Sequence, residues 1–363
     1  MFYAPADPQA RSDWGVVCTC REPTPLVLAF VAHHIGLGAR EVFLYLDAPQ
    51  PDLEAALAEI PQVRMQICDE AYWQSRKNQR PDAVEHRQLV NAYEAYGRAE
   101  VAWLAHFDTD EFLHADMDVA LLLKAQPPEV DYLLIEPRER AFVEGQAQMD
   151  LFDGVFRRPT PDAWGGARYF FEPAWRYLRR GVLGHPIGKS FMRTGQALTP
   201  GIHTPRRPVA ERSKRLRGWS LLRARLLHFD GLTALHWTAK LRRAALAGAD
   251  QRFLKGAGRD SHRARQIALM RRFSHRKRRA LRMHDDLKVV PRDQLERLLA
   301  LGLIETHSID PARDIAALNL SVEVNLSRAA FDRALVADNP DIAEWLPDDA
   351  APSTPANKLL HTP

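Results

Sequence analysis

Asp108, Thr109, Asp110 and Glu111 set three carboxylates directly after the apolar run WLAHF at 103–107, and apolar residues resume at once with Phe112 and Leu113. Carboxylates this close repel one another unless a cation lies between them. A divalent ion held by one or two carboxylates together with substrate phosphates is the usual arrangement for Mg²⁺ or Mn²⁺. Such an ion offsets the charge on a departing diphosphate. The same four residues also fit the start of a helix, because Asp at an N-cap with Glu three positions on makes a capping box. Short Asp-x-Asp strings are common, so the surrounding elements have to choose between the two readings.

Those elements alternate. Residues 14–19, WGVVCT, read as a first strand, and Pro25 opens a helix, LVLAFVAHHIGLG, closed by Gly36 and Gly38. A second strand follows at 41–46, EVFLYL, ending at Asp47. A short amphipathic helix at 52–59, a third strand at 63–68, a helix at 83–97 and a fourth strand at 101–107 complete the series. This β-α-β-α-β-α-β order predicts a mostly parallel sheet with helices on both faces. In open α/β sheets ligands gather beyond the carboxyl ends of the strands, and Asp108 to Asp110 lie at such an end, which favours the metal reading. Residues 131–137, DYLLIEP, read as a further strand. The Gly-, Pro- and aromatic-rich stretch 151–207 gives no clear pattern; 232–247 and 263–282 read as helices. From 338 onward Pro, Asp and Ser rise and predict a flexible tail. No internal repeat is present.

The chain has 363 residues, 46% of them hydrophobic and 26% charged, as expected of a soluble protein large enough to bury a substantial core. No apolar run is long enough to span a bilayer, and the N-terminus lacks the pattern of a signal peptide. Three cysteines, Cys18, Cys20 and Cys68, are too few and odd in number for a disulfide framework, and point to a reducing, cytoplasmic setting. Cys18 and Cys20 are expected to pack on one face of the first strand. The net charge of +4 conceals an asymmetry, since residues 206–282 hold 23 Lys and Arg against 4 Asp and Glu. Such a segment suits nucleic acid, an anionic membrane surface or a phosphorylated substrate. Its most basic part, RRFSHRKRRALR at 271–282, also reads as a solvated helix whose apolar side is Ile267, Leu269, Met270, Phe273 and Leu281, so recognition of nucleic acid through this half is the lesser alternative.

Four ordered segments carry a resemblance: CREPTPLVLAFVAHHIGLGAREVFLYLD, RQLVNAYEAYGRAEVAWLAHFDTDEFL, GKSFMRTGQALTPGIHTP and LLHFDGLTALHWTAK. Together they span residues 14–245, and the chain resembles a glycosyltransferase of the GT-A fold, in the family 2-like group that includes family 92. The opening turn departs from the family pattern: the usual Asn is absent, Glu22 follows Arg21 directly, and Pro23 comes next. The resemblance implies a GT-A domain at 12–245, a basic helical C-terminal extension at 246–337 and a flexible tail at 338–363. It implies a hexosyltransferase that uses a nucleotide-diphosphate sugar and Mn²⁺ or Mg²⁺ and inverts the configuration at the sugar. The implied acceptor is a glycan, a polysaccharide or a lipid-linked saccharide, as in polysaccharide biosynthesis. The Arg-rich segment adds the expectation of peripheral contact with an anionic membrane, at its inner face.

Residue by residue, the resemblance assigns metal binding to Asp108 and Asp110, with His203 of GIHTP completing the shell. Arg21, Glu22, Asp47, Arg87, Asp108, Lys189, His228 and Lys240 fall to donor binding, with Gln88 beside Arg87. A transfer to a hydroxyl needs a proton acceptor. Asp230 and Glu136 are the candidates, while Glu111, next to the metal motif, reads as structural. A nucleotidyltransferase would also use an Asp-rich strand end and a metal, but it usually carries a Gly-rich phosphate loop after its first strand, and CREPTP has no glycine.

Overall fold

The computed structural model describes residues 11–77, 79–146, 150–161, 170–171, 174–246 and 261–346. The first half builds β1 (Trp14–Cys20), α1 (Thr24–Gly36), β2 (Glu41–Leu46), α2 (Pro51–Leu57), β3 (Val63–Ile67), α3 (Glu70–Lys77), α4 (Val84–Arg98) and β4 (Trp103–His106). Strands β3, β2, β1 and β4 lie side by side and all run parallel. Their carboxyl ends therefore share one edge, which carries Glu22, Asp47, Cys68 and the turn 107–110. Val16, Cys18 and Cys20 of β1 pack with α1, whereas Val17 packs with Tyr72, Trp73, Ala92 and Ala95 of α3 and α4. Alternate residues thus feed cores on opposite faces, as a doubly covered sheet requires. All three cysteines are buried and free, and Cys18 and Cys20 share a face.

The second half extends the sheet with mixed pairing. It comprises β5 (Glu111–Ala115), α5 (Val119–Lys124), β6 (Tyr132–Val143), β7 (Val155–Arg157), β8 (Lys189–Arg193), β9 (Gly218–His228) and α6 (Ala234–Leu246). Then come α7 (His262–Phe273), α8 (Lys277–Lys288), β10 (Val289–Val290), α9 (Arg292–Ala300), β11 (Ile304–Glu305), α10 (Pro311–Ala317) and α11 (Arg328–Asp338). The main path is β11-β7-β6-β8-β4-β1-β2-β3, with β9 joining β5 to β6. Strand β8 is antiparallel to both β4 and β6 and so bridges the two halves.

The single helix expected at 263–282 is broken at 274–276. Ile267 and Met270 of α7 and Ala280, Met283 and Leu287 of α8 are buried in one common core with Trp237 and Leu241 of α6. Ten residues separate Met270 from Ala280, about 80° short of whole helical turns, so a straight helix would aim them apart. Ser274 caps the break, its hydroxyl donating to the Arg271 carbonyl at 3.0 Å. Of the expected tail, residues 340–345 form a 3-10 turn with Ile342 and Trp345 buried, and 347–363 lie outside the described residues. The basic residues at 247–260 lie outside them too. No described helix is long and apolar enough to cross a membrane.

Candidate active site and metal centre

The four residues Asp108 to Glu111 do not start a helix. Glu111 opens β5, yet the expected side-chain bond forms: Glu111 Oε2 accepts the Asp108 N–H at 2.8 Å, while the Glu111 N–H donates to the Asp108 carbonyl at 3.0 Å. A capping-box pattern here closes a β-turn, and that turn hangs the two aspartates over the strand edge. Thr109 points back into the sheet, where its hydroxyl meets Cys18 Sγ at 3.2 Å.

The two aspartates have separate surroundings. Asp108 Oδ1 accepts from Gln88 Nε2 at 2.6 Å and Oδ2 from Lys189 Nζ at 2.9 Å. Burial alone would raise this carboxyl, but the Lys189 and His106 charges outweigh it and hold it below the usual range. Glu111, 3.5 Å from the same ammonium, is pushed up to about 7 by burial, with the neighbouring Asp108 charge adding to it. Lys189 is 2% exposed; Asp108 and Glu111 overcome its desolvation and raise it. Its position depends on Gly188, at φ +84°, where a Cβ would lie 2.0 Å from the Ile135 carbonyl oxygen. Only glycine lets the chain enter β8 at that approach.

Asp110 is buried and turns toward β9 and α6. Its Oδ2 accepts from Lys240 Nζ at 2.5 Å, and its Oδ1 lies 3.9 Å from His228 Nε2, beyond hydrogen-bond distance. His228 ends β9, directly opposite Glu111 of β5 and Glu139 of β6. Two residues on, Asp230 is buried and accepts from Trp237 Nε1 at 3.1 Å. Burial would raise Asp230, but Lys288, Arg263, His228 and Lys240 hold it below the carboxylate range. Asp110, His228 and Asp230 each offer one ligand atom, all within 4.8 Å of one another. One oxygen of each aspartate is taken by a protein donor; the other has no hydrogen bond from a described residue. Two such carboxylates with an imidazole form a donor set that fits a divalent cation.

The expected ligands are thus partly regrouped. Asp110 belongs to the three-residue cluster, and Asp108 and His203 do not. His203 Nδ1 donates to the Gly188 carbonyl at 2.7 Å, and its ring stacks on His185 at 4.1 Å between centroids, on the Lys189 side. Glu22 accepts from His236 Nε2 at 2.8 Å and contributes to raising Lys240, so the end of β1 does reach the same cation. Asp47 is paired with Arg80 at 2.5 Å and with Arg87 at 3.0 Å, and Arg87 also donates to the Pro81 and Asp82 carbonyls. Arg21 is exposed and bonds to no described residue. Glu136 stands at the rim, 38% exposed and paired with Arg138 at 2.9 Å.

Two residues of the site carry no signal in the sequence. Glu139, buried in β6, accepts the Leu183 and Gly184 N–H groups at 2.5 and 2.6 Å and lies 3.9 Å from His228 Nδ1. Lys288, at the end of α8, is fully buried with no hydrogen-bond partner among the described residues. Burial lowers it to about 8 against the opposing pull of Asp230 and Glu139. No pattern marks either: one sits in the charged string RERA, the other in an Arg-rich helix.

No protein-family model matches the sequence, and no curated protein does. Among solved structures the chain is similar to Staphylococcus aureus TarS residues 1–349, at 12% identity over 92% of this chain and 89% of that one, TM-score 0.29. The same protein in complex with UDP-GlcNAc matches at 14% identity with the same coverage and a TM-score of 0.30. HddC from Yersinia pseudotuberculosis matches at 8% identity over 60% of this chain and 92% of that one, TM-score 0.31. The Saccharomyces cerevisiae mannosyltransferase Ktr4p matches at 10% identity over 48% and 49%, TM-score 0.23.

Proposed function

We propose that this chain is a divalent-metal-dependent glycosyltransferase that moves a hexosyl unit from a nucleotide-diphosphate sugar to a hydroxyl of a glycan, polysaccharide or lipid-linked acceptor, with inversion. The observation that carries the reading is the Asp110–His228–Asp230 cluster at the carboxyl edge of the parallel strands, with the Lys240 ammonium group on Asp110 and the Lys189 ammonium group on the neighbouring Asp108. These three residues would hold the metal, and the metal would supply Lewis-acid stabilisation of the departing diphosphate. Asp108 joins the donor side through Lys189, and Asp47 with Arg87 lines the nucleoside end of the edge.

The protein's own residues do the rest. Lys189 and Lys240 stay protonated through the physiological range, so both offer fixed positive charge to phosphate oxygens. The acceptor oxygen attacks the anomeric carbon, the bond from that carbon to the diphosphate oxygen breaks, and the hydroxyl proton passes to a carboxylate. Asp230, held ionised and weakly basic, suits a cation better than a proton. Glu136, at the exposed rim, is the acceptor-side base in this scheme.

Thermal melting with UDP and GDP, with and without Mn²⁺, tests the binding half. Stabilisation that needs nucleotide and metal together is expected, since a ligand that binds only the native state raises its melting temperature. Product analysis tests the reaction half: release of nucleoside diphosphate from a nucleotide sugar is expected. Release of pyrophosphate from a nucleoside triphosphate and a sugar phosphate would instead make the chain a nucleotidyltransferase.

A further inference from the structure

The approach to β9 and its first half, residues 209–223, lie almost wholly in solvent. Three large apolar side chains project there: Val209 is 74% exposed, Trp219 50% and Leu222 77%. Around them Arg212, Arg215, Arg217 and Arg223 are exposed and have no carboxylate partner among the described residues. Glu211, the carboxylate within the segment, is occupied by Lys214 at 3.0 Å.

The backbone explains part of this. On β6 the pairing jumps from Leu134–Ser220 to Glu136–Arg225, and a bulge of this kind re-aims its side chains. Leu221 and Ala224 stay buried, Ala224 paired with Ala115 of β5, while Leu222 and Arg223 turn out to solvent. The base of the segment is nevertheless anchored, because Asp131 accepts from Arg207 at 2.7 Å and from the Arg217 N–H at 2.8 Å. The tips are held out on a fixed support.

We propose that residues 209–223 form a docking surface for an anionic lipid bilayer. Trp is favoured at the level of the headgroups, where its ring is apolar and its N–H is solvated. Leu222 and Val209 have nothing to gain from water or from a phosphate, but gain by entering the acyl boundary. The unpaired guanidinium groups complement anionic headgroups while their stems lie along the apolar layer. A nucleic acid or polyanionic glycan would use the arginines and leave the three apolar tips without a role. Leu222 is six residues from His228, about 20 Å along a strand, so the docking surface is separate from the Asp110–His228–Asp230 cluster. This inference is independent of the reaction assigned to that cluster.

Flotation of the full chain with vesicles tests it, using phosphatidylcholine alone and phosphatidylcholine mixed with phosphatidylglycerol. Wild type is expected to float with the mixed vesicles at low salt and much less with phosphatidylcholine alone. The double variant Trp219→Ser/Leu222→Ser should partition about tenfold less or weaker, and Arg215→Glu/Arg217→Glu should lose the preference for phosphatidylglycerol, both at wild-type melting temperature. Quenching of tryptophan fluorescence by brominated lipid, compared between wild type and Trp219→Phe, gives a reading that does not depend on the serine variant folding. Quenching lost in Trp219→Phe supports the proposal. Absence of flotation, undiminished flotation of a folded serine variant, or binding to heparin or RNA without vesicle binding overturns it.

Discussion

Lys240 Nζ, on α6, lies 2.5 Å from Oδ2 of Asp110, in the turn between β4 and β5. One oxygen of the buried aspartate is therefore neutralised by the protein itself, while the other faces His228 at 3.9 Å. The ammonium and an incoming divalent cation share one carboxylate, so the two compete electrostatically.

Replacing Lys240 by Met separates those effects. The uncompensated Asp110 should lower the stability of the metal-free protein by about 2 kcal/mol. The same charge should tighten Mn²⁺ binding, so a Mn²⁺ titration followed by thermal melting restores more stability to the variant than to wild type. Asp110→Asn should do the opposite, abolishing the Mn²⁺ response and lowering transfer at least about a hundredfold. A Mn²⁺ response that survives in Asp110→Asn counts against the cluster.

Gly184 controls His228 from outside the cluster. A Cβ there would lie 2.9 Å from His228 Cε1 and 3.0 Å from Glu139 Oε2. Gly184→Ala should displace the imidazole and weaken Mn²⁺ affinity by about tenfold, an effect of about 1.4 kcal/mol on binding. His228→Gln should weaken it at least as much. Isothermal titration with Mn²⁺ reads both, and an unchanged affinity in both variants removes His228 from the ligand set.

Lys189 is enclosed, whereas its partner Asp108 is 35% exposed. Loss of the cation leaves Glu111 and Asp108 facing each other, so Lys189→Met should cost about 2 kcal/mol after allowance for the exposed side of the pair. Asp108→Asn, which keeps the Gln88 contact and relieves that repulsion, should cost less. Urea unfolding of the two variants ranks them, and the reverse order would mean that Asp108 rather than Lys189 holds the turn.

Acid should weaken the fold before Asp108 and Asp230 titrate. Burial lowers His284 and His185 to about 4 each, from an ordinary 6.5. Between those values the unfolded chain takes up protons that the folded chain refuses, so these two histidines make stability fall as pH drops from about 6.5 to about 4, a loss that Glu111, raised to about 7, offsets in part by taking up its proton first in the folded state. Asp108 and Asp230, held low, add their loss only below the ordinary Asp value of 3.8. His284→Leu should recover about 2 kcal/mol of the difference between pH 7 and pH 4.5. Urea midpoints measured across this range test it, and an unaltered slope excludes His284 as a source.

Strands β1 to β4 were legible because parallel strands buried on both faces appear as unbroken apolar runs, and their shared edge followed from the alternation with helices. The carboxyl-edge position of Asp108, Asp110 and Asp47 came with them. The sequence pattern ends strand β6 at Pro137, since Arg138, Glu139 and Arg140 look like surface residues. Each is buried because a partner waits for it: Glu305 for Arg138, two backbone N–H groups for Glu139, and the Leu151 and Gly231 carbonyls for Arg140. Those partners come from distant parts of the chain, so no local pattern announces them. Lys288 escaped for the same reason. The short helix α3 carries Tyr72 and Trp73 inward on an otherwise polar segment, too brief for a periodicity to emerge.

Lys288 reaches the back of Asp230 from beyond the segments that resemble a glycosyltransferase, and Trp237, which bonds that aspartate, packs edge-on against His284 of the same helix α8. The cluster accordingly has a rear wall supplied from far downstream. Chimeras that exchange its front strands should place their crossover after residue 288; a chain stopped at 245 would keep every residue of the cluster and lose the Lys288 charge behind Asp230 and the His284 ring that backs the Trp237 indole.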